Sequence, residues 1–312
     1  MEAKSFIIIG LGISGIGAAE LLNEEGSKVI IFEAKDDIKS INKANQLRQK
    51  GIEVFLGKSL TIESFAPWIN QIEAIVIGPG IPWDHPTLNH LRVLKIPITS
   101  EIALAWERLK WIKWIGITGT NGKTTATYLL HHILKENNIK SLIGGNIGRS
   151  ASEIALSLRD KNTSLPNWLI MELSSYQIES AEQIKPFIGI WTNLKPDHLE
   201  RHKTLSNYRN IKSKLLKKST IKVLNADDPE LSRYRNSLKN SIWVSLITMG
   251  SNENPNNYWI DKEGTIYEER NRLFHSSSFK IPGKHNLENL LMVVAAARKI
   301  GLSASRIEKS LR

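Results

Sequence analysis

The sequence predicts an α/β protein with two parallel-sheet, nucleotide-type units in tandem. Three observations carry this. A short apolar run, Phe6 to Ile9, breaks into Gly10-Leu11-Gly12-Ile13-Ser14-Gly15 and a helical pattern. A second run, Ile112 to Ile117, breaks into Gly119-Thr120-Asn121-Gly122-Lys123-Thr124-Thr125 and another helical pattern. Further short apolar runs ending in Gly or polar residues alternate with helical stretches along the rest of the chain, the order expected of βα units.

A length of 312 residues suits about two domains with real cores. Hydrophobic residues at 41% and charged residues at 23% are ordinary for a soluble globular chain. No apolar run approaches a membrane span, and Phe6 to Leu11 flows into a glycine motif rather than a cleavage site, so the chain reads as soluble and unsecreted. With no cysteine there is no disulfide framework, thiol nucleophile or thiolate metal site, and a bound metal must take oxygen or imidazole ligands. The net charge of +11 is spread along the chain without a basic tail or an aromatic-interleaved RNA motif. It fits anionic small substrates or a solvated basic surface, not nucleic acid.

In chain order, the first unit begins with strand, glycine loop and a helix to about Asn23, then the apolar run Val29 to Phe32 ending at Glu33. That acid lies where a dinucleotide fold places a ribose-binding carboxylate, so a nicotinamide-dependent oxidoreductase is one reading. Glu73 to Ile77 reads as a strand, and Gly78-Pro79-Gly80 after it as a stiff turn able to wall a ligand cleft. A strand near Ile96 to Thr99 and a helix over Glu101 to Leu109 follow, with the domain boundary near residue 99.

In the second unit, Gly119 and Gly122 allow backbone N–H groups to face a triphosphate at the N-terminus of a helix. Lys123 is placed to reach the terminal phosphates and the Thr124 hydroxyl to hold Mg²⁺, in a shortened form of the phosphate-loop motif. The run Trp168 to Met171 ends in Glu172, a carboxylate at a strand terminus well placed for metal. Phe187 to Trp191 leads to Asp197 and His198. The strands ending near 118, 172 and 193 should converge at one edge of a parallel sheet. Asn207 to Ser219 is helical and basic, and spacing alone places Lys212, Lys214, Lys217 and Lys218 on a solvated face. Lys222 to Leu224 is a strand ending in Asn225-Ala226-Asp227-Asp228, residues 240 to 282 read as irregular antiparallel edge strands, and a helix runs from about Leu287 to Lys299 with Asn286 and Asn289 one turn apart.

Taken together, the motifs resemble the Mur ligases, the ATP-dependent amino-acid-adding enzymes of peptidoglycan synthesis. The resemblance rests on Gly10 to Gly15, Gly119 to Thr125, Gly144-Gly145-Asn146-Ile147-Gly148, Met171 to Gln177 and Thr192 to His202. It implies a Rossmann-like domain for the uridine-diphosphate substrate over residues 1–98 and a central phosphate-loop ATPase domain over 99–300. Residues 301–312 would then be the stub of a third, Rossmann-like domain that supplies the amino-acid pocket, so that turnover is expected to need that domain.

By this resemblance Gly12, Ser14 and Gly15 meet the diphosphate and Glu33 and Lys35 the uracil end, while Gly78, Pro79, Gly80, Asn146, Ser174 and His198 serve the rest of UDP-N-acetylmuramoyl-L-alanine. The loop Gly119, Thr120, Asn121, Gly122, Lys123, Thr124 and Thr125 holds ATP, with Asn286 and Asn289 near its adenine. Thr124 and Glu172 take a first Mg²⁺, and His198 and Lys212, carbamylated by CO₂, a second. Lys123, His198 and Lys212 are the implied catalytic residues. The second substrate is D-glutamate, and the enzyme is expected to be a cytoplasmic monomer that binds neither nucleic acid nor membrane. A non-catalytic nucleotide-binding module is the other alternative.

Overall fold

The structure is a computed structural model that describes residues 4–160, 162–247, 249 and 256–312. It divides into two compact units, Met1–Trp111 with Gly148–Ser164 and Glu179–Gln183, and Ile112–Ile147 with Leu165–Ile178 and Ile184–Arg312.

The first unit contains β1 (Ser5–Ile9), α1 (Ile13–Glu24), β2 (Lys28–Phe32), α2 (Ile38–Gln49), β3 (Glu53–Phe55), α3 (Ile62–Phe65), β4 (Ile72–Ile77), α4 (Pro86–Val93), β5 (Ile98–Ser100) and α5 (Glu101–Leu109). Its strands are all parallel, in the order β3-β2-β1-β4-β5. Near-continuous apolar runs such as Ile7–Ile9 and Val29–Phe32 are buried, as strands covered on both faces require. Since β2 lies on one side of β1 and β4 on the other, the glycine loop after β1 opens at the point where strand order reverses, the crevice where such sheets bind ligands.

The segment that returns to this unit carries α7 (Ala151–Ser157), which packs on α1 and α5. It opens with a capping box, in which the Ser150 hydroxyl accepts from the Glu153 amide and the Glu153 carboxylate from the Ser150 amide. The buried Glu101 carboxylate accepts from the Ser152 amide at 2.6 Å, tying α5 to the start of α7.

The second unit contains β6 (Lys113–Thr118), α6 (Lys123–Glu136), β7 (Ser141–Gly145), β8 (Trp168–Glu172), most of α8 (Ser175–Glu179), β9 (Ile188–Trp191), α9 (Leu199–His202), α10 (Leu205–Lys218), β10 (Ile221–Asn225) and α11 (Pro229–Ser232). It continues with β11 (Ser241–Ser245), β12 (Tyr258–Ile260), β13 (Thr265–Glu268), β14 (Asn271–His275), α12 (Lys284–Ile300) and α13 (Ala304–Ser310). The sheet order is β14-β13-β12-β11-β10-β9-β6-β8-β7. Strands β6, β8 and β9 are adjacent and parallel, so their carboxyl ends do meet at one edge.

Two sequence readings change. Residues 240–282 are not all antiparallel, because β11 pairs parallel with β10 and β12 parallel with β11, and only β13 runs against its neighbours, antiparallel to both β12 and β14. The run Trp243, Val244 and Ser245 is buried, which suits an interior parallel strand. Part of that stretch, residues 248 and 250–255, lies outside the described residues. On α10 the basic face is split, since Lys217 and Lys218 are exposed whereas Lys212 is 1% exposed.

Helix α12 is the spine of the second core. Residues Leu290–Ala297 are all buried, and Gly301 ends the helix in a left-handed cap. Burial of a single Leu or Val here stabilises the fold by roughly 1.5–3 kcal/mol. Helix α13 packs on α6, α12 and β14, so residues 304–310 belong to this core.

Candidate functional site

In the first unit the glycine loop is held by its own neighbours. The Leu11 amide donates to Glu33 Oε2 at 2.7 Å, the Lys35 amide to Glu33 Oε1 at 2.9 Å, and Lys43 Nζ to the Leu11 carbonyl at 3.0 Å. Glu33 thereby shapes the loop whatever else it meets. Gly12 is exposed and Ser14 half-buried in the first turn of α1, while Gly15 is buried against the loop. Gly78 approaches Ser14, so Gly78, Pro79 and Gly80 flank the same loop. Lys35 is exposed beside Glu33.

In the second unit the glycine-rich loop of residues 119–125 joins β6 to α6 through Gly122, which has φ +80°. A Cβ there would lie 2.6 Å from Asn289 Oδ1, and one at Gly119 would lie 1.9 Å from Thr192 Oγ1. Only glycine lets the loop pass this close to α12 and β9. The end of β9 laces the loop in place. The Asn121 amide donates to Asn193 Oδ1 (2.9 Å), the Thr120 amide to the Asn193 carbonyl (3.1 Å), and Thr192 Oγ1 to the Asn121 carbonyl (2.6 Å). Asn193 was not singled out by the sequence, although it sits in the Thr192 to His202 motif.

Two lysines converge on one carbonyl. Lys123 Nζ donates to the Gly119 carbonyl at 3.0 Å and the Thr120 carbonyl at 2.8 Å, and Lys212 Nζ donates to the same Gly119 carbonyl at 2.9 Å and approaches Thr118 Oγ1 at 3.2 Å. Burial, with the Lys123 charge adding to it, pulls the Lys212 amine down to about 7. Burial also lowers Lys123, against the pull of Glu172 and Asp197. An anion received here relieves both ammonium groups.

Glu172, at the end of β8 and 2% exposed, is the nearby carboxylate. Thr124 Oγ1 donates to Glu172 Oε2 at 2.8 Å and Asn146 Nδ2 to Glu172 Oε1 at 3.0 Å. The structure thus brings together Thr124, Asn146 and Glu172, and separately Lys123 and Lys212 at Gly119. The donors are hard oxygens, and among the described residues no group of three or more His, Asp or Glu forms a metal cage. That composition suits Mg²⁺, which keeps waters and phosphate oxygens as ligands.

His198 stands half-exposed in a left-handed conformation (φ +52°), with Asp197 at 3.4 Å and Glu200 at 3.6 Å. Its ring lies 5.4 Å from that of Tyr176. Ser174 caps the following turn, where its amide and hydroxyl both donate to Gln177 Oε1.

Beside the loop is a cavity of about 490 Å³ lined by Asn121, Asn193, Asn225, His285, Glu288 and Asn289, among others. Asn289 is 2% exposed and its Nδ2 has no partner among the described residues, while Asn286 Nδ2 donates to the Pro282 carbonyl. Asp227 and Asp228 also line the cavity, but their carboxylates accept from Ser245, the Leu246 amide and the amides of Leu194, Glu230 and Leu231. Glu288, raised chiefly by burial, accepts from Asn225 at 3.2 Å. The polar end of β10 was the sequence signal for this wall.

Two mainly parallel α/β units, each with a glycine-rich loop after its first strand, define the architectural class. The match to known proteins is specific. Residues 117–297 fit the Mur ligase middle domain and residues 4–100 the Mur ligase MurD-like N-terminal domain, and the chain belongs to the Mur ligase family. It is 52% identical over 305 residues to a UDP-N-acetylmuramoylalanine--D-glutamate ligase of Prochlorococcus marinus, a match covering 98% of this chain and 65% of the relative. A ligase of the same name from Synechococcus sp. (strain CC9902) is 49% identical over 306 residues, covering 98% and 66%. The chain therefore spans just under two thirds of these relatives' length.

Among solved structures, a UDP-N-acetylmuramate:L-alanyl-gamma-D-glutamyl-meso-diaminopimelate ligase from Neisseria meningitides superposes with a TM-score of 0.65 at 20% identity, covering 99% of this chain and 97% of that one. UDP-N-acetylmuramate-alanine ligase MurC from Thermotoga maritima gives 0.58 at 21%, covering 98% and 67%. Both share the fold.

Proposed function

We propose that this chain carries the uridine-substrate and ATP sites of a ligase that adds D-glutamate to UDP-N-acetylmuramoyl-L-alanine. The single observation that carries the reading is the phosphate-loop cluster, in which Lys123 and buried Lys212 meet at Gly119 beside the Thr124–Glu172–Asn146 group, within a chain half-identical to ligases of that name. The first unit takes the uridine nucleotide at its glycine loop. The second is a phosphate-loop ATPase, with the triphosphate along the loop and adenine in the cavity against Asn289, near Asn286. The D-glutamate pocket is assigned to the C-terminal domain that the family resemblance implies.

The reaction is acyl activation. The alanyl carboxylate attacks the γ-phosphorus of ATP, ADP leaves, and the amine of D-glutamate displaces phosphate from the acyl phosphate through a tetrahedral intermediate. Lys123 and the loop amides neutralise charge on the transferring phosphoryl group, which is usually the largest contribution to lowering the barrier of such reactions. Asn146 and His198 orient the muramoyl-alanine end. Thr124 with Glu172, and His198 with Lys212, are the residues proposed to hold Mg²⁺, which supplies charge neutralisation at the phosphate oxygens. A Lys212 amine pulled down to about 7 is neutral often enough to attack CO₂, forming an N–C bond and releasing one proton. The resulting carbamate is an anionic oxygen ligand, and it also removes the positive charge opposed to Lys123.

Calorimetry on the purified chain with UDP-N-acetylmuramoyl-L-alanine and NAD⁺ separates the alternatives. Binding of the uridine compound alone is expected. NAD⁺ binding without it overturns the reading in favour of an oxidoreductase, and binding of neither leaves ATP titration to distinguish a bare nucleotide module.

A further inference from the structure

His202 is 0% exposed and belongs to neither the phosphate loop nor the oxygen cluster, yet it occupies the middle of a column of rings. Its ring stacks with Tyr176 at 5.3 Å and an interplanar angle of 24°, and with Tyr208 at 5.1 Å and 28°. The outer rings reach the chemistry. Tyr176 lies 5.4 Å from the His198 ring, and the Tyr208 face lies 4.8 Å from Lys212 Nζ. Ser175 Oγ lies 2.9 Å from His202 Nε2, whereas Nδ1 is buried without a partner among the described residues.

A buried polar atom left unpaired destabilises the fold, so simple filling of the space would be met better by an aliphatic chain. What the imidazole adds is a flat face on both sides, with one nitrogen fixed by Ser175 so that the ring cannot spin out of the stack. It comes from the end of α9, Tyr208 from α10 and Tyr176 from α8, so the column pins three helices to one another at the mouth of the phosphate loop.

We propose that His202 is a positioning residue, whose ring holds Tyr208 under the Lys212 amine and Tyr176 beside His198 and so sets both groups at the phosphate loop. Without the middle ring, Tyr208 can tilt into the gap, and the Lys212 amine is no longer confined to the direction of Gly119. The inference rests on the proposed roles of Lys212 and His198 and extends them to a residue whose ring reaches them through Tyr208 and Tyr176, although its amide donates to the His198 carbonyl at 3.0 Å.

The test equilibrates the 312-residue chain with ¹³C-bicarbonate and reads the carbamate carbon by NMR, with Lys212→Ala as the assignment control, alongside the ATP dissociation constant in Mg²⁺. His202→Phe keeps a ring in the gap, His202→Leu fills it without a π-face, and His202→Ala empties it. The Phe variant is expected to match wild type in both readouts. The Leu and Ala variants are expected to lose carbamate occupancy and ATP affinity by about ten- to a hundred-fold, the usual cost of removing a support behind a ligand. Wild-type behaviour in His202→Leu overturns the proposal. Should His202→Ala fail to fold by circular dichroism, Phe against Leu decides. No carbamate signal in the wild type sinks the carbamate reading rather than the column, and the ATP constants of Phe and Leu then judge the column alone.

Discussion

The two glycine loops of this chain follow the same strand–loop–helix plan and differ in their electrostatics, with a carboxylate and one ammonium (Lys43) at the first and two ammonium groups at the second. The loop after β1 is buttressed by a carboxylate, since Glu33 accepts from the Leu11 and Lys35 amides. The loop after β6 is buttressed by ammonium groups, since Lys123 and Lys212 both donate to the Gly119 carbonyl. In the first, the Leu11 amide is already engaged and the loop is held by its own acid. The second holds two amines close together, one of them buried, which favours an incoming anion. A glycine spacing therefore specifies a close backbone approach and says little about ligand charge, which is set by residues that arrive from later in the chain.

The largest effect expected from this contrast is at Lys123. Its ammonium can turn from two carbonyls to a phosphate, a charge-assisted contact worth about 1.5–3 kcal/mol. Lys123→Ala should raise the ATP dissociation constant roughly ten- to a hundred-fold by calorimetry. Binding of the uridine compound in the other unit should not change. Equal weakening of both ligands would break the comparison.

The pH dependence of stability should also differ in sign between the units. Lys212 sits at about 7 when folded against 10.5 as its ordinary value, so the unfolded chain binds more protons between those limits and stability rises as pH goes from 7 towards 10. Glu101, in the first unit, is pushed by burial from 4.5 up to about 7. There the folded chain binds more protons, and stability falls as pH rises from 4.5 to 7. Urea midpoints should show both slopes, with Lys212→Met flattening the alkaline one and Glu101→Gln the acidic one. If Lys212→Met leaves the slope above pH 7 unchanged, the lysine is not buried as a strained cation.

Much of this was readable in the residues. The strands ending at Thr118, Glu172 and Trp191 were visible because parallel strands buried on both faces are continuous apolar runs, and α5 because Glu101 to Leu109 carries a helical pattern. Lys212 was not, because helical spacing assigns a lysine among Lys214, Lys217 and Lys218 to solvent. Its burial depends on Tyr208 and Thr118, which only the tertiary fold brings alongside. The parallel pairing of β11 and β12 was hidden because strands of three to five residues carry too few positions to reveal a partner's direction. Asn193 escaped notice because an amide at a strand end is also an ordinary turn residue.

The smallest expected effect tests the carboxylate side of the comparison. Glu33→Gln preserves size and one acceptor oxygen but loses the charge and the second acceptor, so one of the Leu11 and Lys35 amides loses its bond. The Gln oxygen can keep the bond from the buried Leu11 amide while the exposed Lys35 amide turns to water, which limits the cost to about 1 kcal/mol. The melting temperature should fall by only a few degrees. Loop order then separates two roles for Glu33. If the carboxylate chiefly holds the loop, uridine-compound affinity should drop by no more than about five-fold, and Glu33→Gln and Glu33→Asp should behave alike because each keeps an acceptor. If it also accepts from the ligand, Glu33→Gln should lose far more than that while the melting temperature barely moves, and the first loop would have to be counted, like the second, as one whose buttress changes partner when the ligand arrives.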